Sequence, residues 1–591
     1  MTTNSIAQIC LFLGLLILCI TPLGSYMAKV FSGEKTCLYR IVYPVEKICY
    51  RLCGIDSARE MTWQAYVGAI LIFTAAGFLV LYSIFILQAY LPLNPLHRPN
   101  LAVDLAFNAA VSFVTNTNWQ SYAGERDLSY FSQMVGITTQ HFISASVGIA
   151  VLMAVIRGLK RKKVEELGNF WVDVVRANLY LLLPLSCLLA VILGSQGVIQ
   201  TFQSSLHVPF FEPIHHVSGK ELRDTVISTQ EIAVGPVASQ IAIKQLGTNG
   251  GGYYNVNSSH PFENPTPVSN FFELLAMLLI PASLCHTFGK MIGDQRQGMA
   301  YLAIMLIVFI PLLFIGYGVE QGGNPKFNAL NIDQLASDNQ AGGNMEGKEV
   351  RFGIIDSTMF AAITTASANG AVNSMHDSYT PLGGMIPLLF MHFGEVIFGG
   401  VGSGVYGMLA YVIITVFLAG LMVGRTPEYL GKKISVFEMK MAMIAVLTPC
   451  ATILIGVTFA LLTQAGKDGI FNPGAQGFTE ILYSFTSAAA NNGSAFAGIK
   501  ANNVFYNLVL GLIMLIGRFS VIISMLALAG SLAQKQPVPP SAGTLPTHRP
   551  LFVFFVIGVV ILVGVLTFFP VLALGPIAEQ LNSTTDLIGR K

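Results

Sequence analysis

Long apolar segments alternate with short polar linkers along almost the whole chain. Nine uninterrupted segments have the roughly 20 residues that a helix needs to cross the hydrocarbon core of a bilayer. A tenth crossing is predicted from a longer, interrupted apolar stretch. The pattern therefore predicts an all-α polytopic membrane protein with about ten transmembrane helices. The nine uninterrupted segments are residues 6–30, 64–91, 134–155, 174–193, 271–291, 299–318, 442–462, 505–528 and 551–574.

Four shorter apolar segments each lead into a polar motif rich in asparagine and glycine. Residues 101–114 are too few to cross a membrane, so this segment is predicted to be a re-entrant half-helix. Residues 232–247, 360–367 and 478–490 occupy the equivalent places later in the chain. The motifs that follow are Val114-Thr115-Asn116-Thr117-Asn118, Thr248-Asn249-Gly250-Gly251-Gly252, Ser367-Ala368-Asn369-Gly370-Ala371 and Ala490-Asn491-Asn492-Gly493-Ser494.

The spacing of these motifs indicates a fourfold internal repeat. Their shared element is Asn followed by Gly, with Thr117 replacing Gly in the first copy, and asparagines 116, 249, 369 and 492 are 133, 120 and 123 residues apart. Each unit reads as span, half-helix, motif and span. The predicted divisions are an N-terminal helix and linker (1–60), repeats at 61–165, 166–297, 298–435 and 436–535, and a C-terminal helix (536–591).

The chemistry of the motifs points to a cation. Irregular backbone at membrane depth is tolerated only where it is buried in protein or lines a watery cavity. Glycine adopts left-handed backbone at little cost and asparagine tolerates it, so successive carbonyls can turn toward one axis. Such carbonyls replace the hydration shell of an alkali cation. The four motifs therefore predict one shared cation pathway.

The interrupted stretch, residues 383–424, contains the cluster Gly399-Gly400-Val401-Gly402-Ser403-Gly404. Two full crossings here would place the following basic residues outside, against the positive-inside rule that the other linkers obey. One broken crossing is therefore predicted, which gives ten crossings and places both termini outside. Discontinuous helices mark ion sites in transporters. The basic residues concerned are Arg425, Lys432, Lys433 and Lys440.

Two ionisable residues are predicted within the membrane. Arg518 lies near the middle of the ninth crossing, and Glu395 lies about twelve residues into the seventh. Charges at such depth usually face an interior path or a partner. The functional interpretation is a gate and a cation station below the four motifs, formed by Arg518, Glu395 and Gly399, Gly400, Gly402 and Gly404. The structural alternative is an Arg–Glu pair that holds helices together.

Composition narrows the function classes further. Of the 591 residues, 53% are hydrophobic and 11% charged, and a formal charge of +2 suggests no nucleic-acid partner. The cluster at Gly399 lacks the preceding strand of a dinucleotide site. His260 with Glu263, and His376 with Asp377, lack a third metal ligand, so we interpret them as polar residues of an outer mouth.

Essentially the whole chain resembles the potassium-binding subunits of Kdp-type potassium-transporting ATPases. The resemblance rests on Asn116 to Tyr122, Gly247 to Gly252 with His260 to Thr266, Ala368 to Ser378, and Ala490 to Gly498. It implies the fold of the potassium transporter superfamily, with four membrane–pore-loop–membrane repeats around one pore. It further implies that Gln120 affects potassium affinity in the filter vestibule, and that Arg518 is the basic residue below the filter. The filter glycines would be Gly250, Gly370 and Gly493.

The resemblance also implies a complex in the bacterial inner membrane. Its partners would be a P-type ATPase subunit and one or two small single-span subunits. The chain has no Asp-Lys-Thr-Gly phosphorylation motif and no phosphate-binding loop, so it is predicted not to be an enzyme by itself. K⁺ is the only ion expected and no cofactor is predicted. A self-sufficient channel or symporter remains the alternative, whereas an intramembrane enzyme would need a catalytic constellation that we do not find.

Overall fold

A computed structural model of the chain describes residues 3–217, 224–328, 330–338, 340–424, 427–539 and 545–582. Within these ranges, ten helices are long and apolar enough to cross a membrane, in agreement with the hydropathy pattern. The main helices are α1 (Thr3–Phe31), α2 (Tyr39–Leu52), α3 (Trp63–Leu87), α4 (Val103–Val114), α5 (Ser132–Lys160), α6 (Phe170–Ser195), α7 (Val237–Leu246), α8 (Pro267–Ile292), α9 (Gln295–Gln321), α10 (Gly353–Ala366), α11 (Pro381–His392), α12 (Ser403–Val423), α13 (Val436–Leu462), α14 (Ala475–Ala489), α15 (Val504–Gln534) and α16 (Pro550–Leu572).

Short helical turns connect several of these helices. They lie mostly in the loops that precede or follow the four motifs. Their bounds are Gln88–Tyr90, Gly124–Asp127, Asn257–Ser259, Pro325–Asn328, His376–Ser378, Gln464–Lys467 and Ala573–Ile577.

The four half-helices are α4, α7, α10 and α14, and each ends directly before its motif. Helix α10 begins at Gly353, earlier than the predicted residue 360, because its first turns carry polar residues that are buried in protein. Helix α7 begins at Val237, later than predicted, after Pro236. Hydropathy alone misplaces both starts, because it registers neither the buried polar residues of α10 nor the helix start after Pro236.

The seventh crossing is broken as predicted, but the break lies earlier than the glycine cluster indicates. Helix α11 ends at His392 and α12 begins at Ser403, so residues 393–402 are non-helical. Glu395 is therefore in the break, not within a helix, and has a left-handed φ of 54°. Gly404 lies in the first turn of α12, which corrects its predicted place in the break. Arg425 lies outside the described residues.

Several elements were not predicted. Helix α2 is amphipathic and has only 14 residues, so a search for long apolar segments does not detect it. An antiparallel hairpin, β1 (Leu206–Val217) and β2 (Asp224–Ile232), pairs Leu206 with Ile232 in the loop before α7. A second, very short hairpin consists of β3 (Glu428–Tyr429) and β4 (Lys432–Lys433). Hydrophobic periodicity for membrane helices does not detect such extramembrane elements.

In the first three repeats, the second crossing is more buried than the first. The buried share is 83% for α5 against 22% for α3, 78% for α8 against 39% for α6, and 67% for α12 against 44% for α9. Helix α15 packs against α5, α4 and α13, while α8 packs against α1, α9 and α7. The second crossings therefore surround the motifs, and the first crossings form the periphery.

Candidate functional site

The four motifs have the same unusual backbone. In each, two residues with left-handed φ flank one residue with ordinary φ. Three of the second left-handed residues are glycines, for which this conformation is unstrained. All twelve residues predicted to line the filter are buried. The left-handed pairs are Asn116 (63°) and Asn118 (58°), Thr248 (47°) and Gly250 (84°), Ala368 (51°) and Gly370 (93°), and Asn491 (54°) and Gly493 (91°).

This backbone pattern shifts the predicted alignment of the first motif by one residue. When the four motifs are aligned by residue type, Asn116 is equivalent to Asn249, and Thr117 is equivalent to the glycines. In the structure, Thr117 is equivalent to Asn249 and Asn118 to Gly250, because the left-handed residues must coincide. Asparagine can occupy this place since it tolerates left-handed backbone better than most residues.

The four motifs meet in one ring, which we call the loop ring: residues 115–118, 248–251, 368–371 and 491–494. A Cβ on Gly250 would lie 2.0 Å from the Asn369 carbonyl oxygen, and one on Gly370 would lie 2.3 Å from that of Asn492. A Cβ on Gly493 would lie 1.8 Å from the Thr117 carbonyl oxygen. The closure between the first and second motifs is a hydrogen bond from Asn116 Nδ2 to the Thr248 carbonyl (3.0 Å). Each motif thus abuts the next.

Equivalent hydrogen bonds support the third and fourth motifs. The Gly370 amide donates to Thr364 Oγ1, and the Gly493 amide donates to Ser487 Oγ, both at 3.0 Å. Side-chain amides of these motifs also donate to the half-helix of the previous repeat. Asn369 Nδ2 donates to the Lys244 carbonyl of α7 (3.4 Å), and Asn492 Nδ2 donates to the Thr364 carbonyl of α10 (3.1 Å). These bonds satisfy carbonyls at the helix ends and link each loop to its neighbour.

The first motif uses hydroxyl groups instead. Thr115 Oγ1 and Thr117 Oγ1 are hydrogen-bonded at 2.8 Å, and Asn491 Nδ2 donates to Thr117 Oγ1 at 2.9 Å. A hydrogen bond from Asn491 Nδ2 to the Met514 carbonyl ties the ring to α15. Thr117 therefore takes the place of the asparagine of the other motifs in the backbone but not in its contacts, because its hydroxyl accepts from Asn491 instead of donating to a half-helix carbonyl.

The electrostatics of the ring favour a cation. Each motif follows the C-terminus of a half-helix, which carries roughly half a negative charge from the aligned peptide dipoles. Four such ends converge on the ring. Carbonyl and amide oxygens are hard ligands suited to alkali cations.

Gln120 joins the first and second loops at the edge of the ring. Its Oε1 accepts from the Gly252 amide at 2.9 Å, and its Nε2 donates to the Gly252 carbonyl at 3.0 Å. Nε2 also contacts the Tyr122 hydroxyl at 3.3 Å. The side chain is half-buried.

A fully buried ion pair supports the second loop, and sequence reasoning missed it. Lys244 Nζ lies 2.8 Å from Glu263 Oε2, and both side chains are inaccessible to solvent. Lys244 also donates to Asn257 Oδ1 (2.6 Å), and Asn257 Nδ2 donates to the Gly250 carbonyl (2.6 Å). A lysine within the apolar run of α7 was the signal available in the sequence. The pair positions a ring residue through Asn257.

The histidines considered as metal ligands have other partners. His260 stacks on Tyr254 with ring centroids 3.7 Å apart, and His376 Nδ1 is hydrogen-bonded to the Tyr483 hydroxyl at 2.9 Å. Within the described ranges, no group of three or more His, Cys, Asp or Glu residues is placed to hold a metal ion. The geometry therefore favours the interpretation that these residues shape the loops.

The break in the seventh crossing contacts the underside of the ring. The Gly399 amide donates to the Ala366 carbonyl at the end of α10 (2.8 Å), and the Val401 amide donates to Thr248 Oγ1 (3.1 Å). A Cβ on Gly402 would lie 2.2 Å from the Gly148 carbonyl oxygen of α5. The break is thus packed against two motifs and one crossing.

A cavity of about 70 Å³ lies below the ring and brings Glu395 and Arg518 together. Asn491 and Ser403 also line it. Arg518 and Glu395, both within the described ranges, form no ion pair, and Glu395 Oε1 is buried without a hydrogen-bond partner. The structural Arg–Glu pair considered above is therefore not present.

The chain is similar to known proteins both in fold and in sequence. The potassium transporter TrkH from Vibrio parahaemolyticus superposes with a TM-score of 0.51 over 88% of this chain and 98% of its own, at 13% identity, which indicates a shared fold. The potassium-transporting ATPase potassium-binding subunits of Herpetosiphon aurantiacus and Sorangium cellulosum are 57% and 56% identical to the chain. The alignments cover 98% and 99% of this chain and 99% and 100% of theirs. The profile described as "KdpA: Potassium-transporting ATPase A subunit" matches residues 10–581. The chain therefore belongs to the KdpA family.

Proposed function

We propose that the chain is the potassium-binding subunit of a potassium-transporting ATPase and that its loop ring is the selectivity filter. The closed ring of four motifs at the ends of four half-helices carries this proposal. The filter comprises the predicted residues Thr115, Asn116, Thr117, Thr248, Asn249, Gly250, Ala368, Asn369, Gly370, Asn491, Asn492 and Gly493, together with Asn118, which has the left-handed backbone of the three glycines.

Selection of K⁺ rests on backbone oxygens. A dehydrated K⁺ exchanges water ligands for carbonyl oxygens, whose number and field strength discriminate it from Na⁺. The carbonyls of Thr117, Asn369 and Asn492 lie beside the left-handed residue of the neighbouring motif, so movement of one loop displaces the next. Gln120 supports the entrance through its paired hydrogen bonds with Gly252.

Arg518 and Glu395 act below the filter as a barrier and a cation station. A charged guanidinium opposes straight passage of a cation, because Arg remains protonated in proteins. Their shared cavity and the absence of an ion pair between them support separate roles. Gly399, Gly400 and Gly402 form the conduit wall, and Gly404 lies in the first turn of the helix that continues it.

The energy for uptake comes from a P-type ATPase chain, with one or two small single-span subunits completing the complex. The chain has no phosphorylation or nucleotide-binding motif of its own, and it hydrolyses no ATP. Its location is the bacterial inner membrane, with both termini on the periplasmic side, from which K⁺ is captured. Basic residues in alternate linkers support this orientation.

Reconstitution separates this function from that of a self-sufficient channel or symporter. Vesicles that contain the tagged chain with its copurifying partners are expected to accumulate K⁺ only when ATP is supplied. Vesicles that contain the chain alone are expected to accumulate none. Equal uptake by the chain alone, without ATP, would establish the channel or symporter instead.

A further inference from the structure

Helix α2 lies outside the loop ring and its cavity, in the basic linker between α1 and α3. Its 14 residues present three different faces. One face is docked against the protein through Glu46, one is apolar and exposed, and one is basic and exposed. Neither exposed face is used by the pathway described above.

The docked face fixes the depth of the helix. Glu46 Oε1 accepts from Arg176 Nε (3.0 Å), and Glu46 Oε2 accepts from the Tyr180 hydroxyl (2.7 Å). Arg176 and Tyr180 are six and ten residues into α6, roughly 9 and 15 Å along a helix. The Tyr26 hydroxyl of α1 in turn donates to the Tyr180 carbonyl at 2.8 Å. Helix α2 therefore lies beside the ends of two membrane crossings.

The carboxylate at this contact stays ionised despite its burial. Burial by itself would raise the pKa of Glu46. Hydrogen bonds from Tyr50, Tyr180 and Arg176 outweigh burial and hold that pKa below its usual value. The docking contact thus persists at neutral pH.

The apolar face is an exposed stripe on the helix that is docked against α6. Its members follow the spacing i, i+4, i+7 and i+11 of one helix face. Their large exposed fractions mean that no part of the described chain covers them. They are Ile41 (74% exposed), Val45 (45%), Ile48 (57%) and Leu52 (80%).

The basic face lies about a quarter to a third of a turn from this stripe. It consists of Arg40, Lys47 and Arg51, which are exposed and form no ion pair with any described residue. The acidic residue of α2, Glu46, is turned inward. The outward surface is therefore apolar and cationic.

We propose that α2 is an interfacial helix that binds anionic phospholipid. The apolar stripe enters the acyl boundary, while Arg40, Lys47 and Arg51 contact phosphate headgroups. An apolar stripe beside a row of cations complements lipid, which offers acyl chains and phosphates at adjacent depths. The proposal is independent of potassium selectivity, because it uses neither the ring nor the cavity.

The depth of α2 tests the first part of this proposal. In a cysteine-free full-length chain, a nitroxide is attached at Ile48→Cys or, as the matched control, at Lys47→Cys. The chain is reconstituted in vesicles of phosphatidylcholine and phosphatidylglycerol. The label at position 48 is expected to collide with oxygen and to be shielded from a water-soluble nickel reagent, whereas the label at position 47 meets nickel.

Two results would overturn the proposal. Equal nickel accessibility at both positions would place α2 in water. Shielding of position 48 from oxygen as well as nickel would mean that protein, not lipid, covers the stripe.

Lipid selectivity tests the second part. The triple variant Arg40→Gln, Lys47→Gln, Arg51→Gln is compared with Lys160→Gln, Lys162→Gln, Lys163→Gln, which removes equal charge from another exposed linker. Each basic residue near an anionic surface contributes roughly fivefold, so the α2 variant is expected to lose at least about tenfold of its preference for spin-labelled phosphatidylglycerol over phosphatidylcholine. An equal loss in both variants, or none in the α2 variant, would refute specific binding.

Discussion

Three glycines of the loop ring combine left-handed backbone with a neighbouring carbonyl in the place of a Cβ. The distances of 2.0, 2.3 and 1.8 Å for Gly250, Gly370 and Gly493 are too short for any side chain. Replacement by alanine therefore strains the backbone and also displaces an oxygen of the next loop. The displacement is passed from one loop to the next, because the four loops form a closed ring.

We expect Gly250→Ala, Gly370→Ala and Gly493→Ala each to weaken K⁺ affinity and to relax discrimination against Na⁺ and Rb⁺, while folding survives. The measurement is the cation dependence of ATP-driven uptake in vesicles that contain the assembled complex. Gly293→Ala is the matched control, because Gly293 also has left-handed φ (85°) but no neighbour within 4 Å of its Cβ position. Wild-type selectivity in all three ring variants would contradict a filter at this ring.

The buried ion pair of Lys244 and Glu263 also acts at the scale of single residues, because it supports the second loop of the ring. Removal of one partner leaves an uncompensated charge in the interior, which costs about 3–5 kcal/mol. We expect Lys244→Met to lower the thermal stability of the purified chain and to weaken K⁺ affinity, since Asn257 loses its support.

The double variant Lys244→Met, Glu263→Gln serves as the control for charge. It is expected to recover much of the stability without recovering K⁺ affinity, because the hydrogen bond from Lys244 to Asn257 is not restored. A single variant as stable as the wild type would show that the pair contributes little.

At the scale of elements, the break in the seventh crossing acts as a joint between the ring and the crossings. Gly402 and Gly148 are packed backbone to backbone, and Gly399 donates to the end of α10. The break therefore contacts the second motif through Val401 and, through Gly399, the end of the half-helix that precedes the third. A regular helix at this place would remove those contacts.

We expect Gly402→Ala to force the break away from α5, because the added Cβ would lie 2.2 Å from the Gly148 carbonyl oxygen. Uptake should fall severalfold, while the chain still reaches the membrane. Gly424→Ala is the control, since Gly424 has left-handed φ (68°) at the end of α12 and no neighbour within 4 Å. Equal turnover in the two variants would assign the break a passive role.

At the scale of the whole molecule, a pump holds a gradient only if its filter does not open freely to the other side. We propose that Arg518 supplies this barrier, because it lies below the ring in the cavity that it shares with Glu395. Two unit charges about 8 Å apart at an effective dielectric constant of ~20 repel by about 2 kcal/mol. That energy lowers local cation occupancy by roughly thirtyfold.

We expect Arg518→Met to reduce ATP-coupled uptake and to add a passive K⁺ leak, while the filter still binds K⁺. Arg518→Lys should retain more coupling because it keeps the charge. Uptake and leak are measured in the same vesicles, with and without ATP. Full coupling in the Met variant, with no leak, would assign Arg518 a structural role.

The number and length of the crossings follow from the sequence alone. A membrane helix needs a long apolar run, and this requirement is local, so hydropathy located nine of the ten helices that are long and apolar enough to cross a membrane. The positive-inside rule decided that the interrupted stretch supplies only one more crossing. The motifs were also recognisable in the sequence, because glycine and asparagine are the residues that most readily adopt left-handed backbone. Their repetition at similar spacing predicted a shared pathway.

Only the tertiary structure decided the register and the partners. Asn118, not Thr117, takes the place of the filter glycines, because equivalence is set by left-handed φ rather than by residue type. Glu395 and Arg518 share a cavity without pairing, and Lys244 pairs with Glu263 across a loop. The hydrogen bond from Tyr180 to the buried Glu46 carboxylate likewise fixes which face of α2 points inward and leaves the charged face outward. These features depend on how the loops and repeats pack against one another, which local patterns in the sequence do not encode.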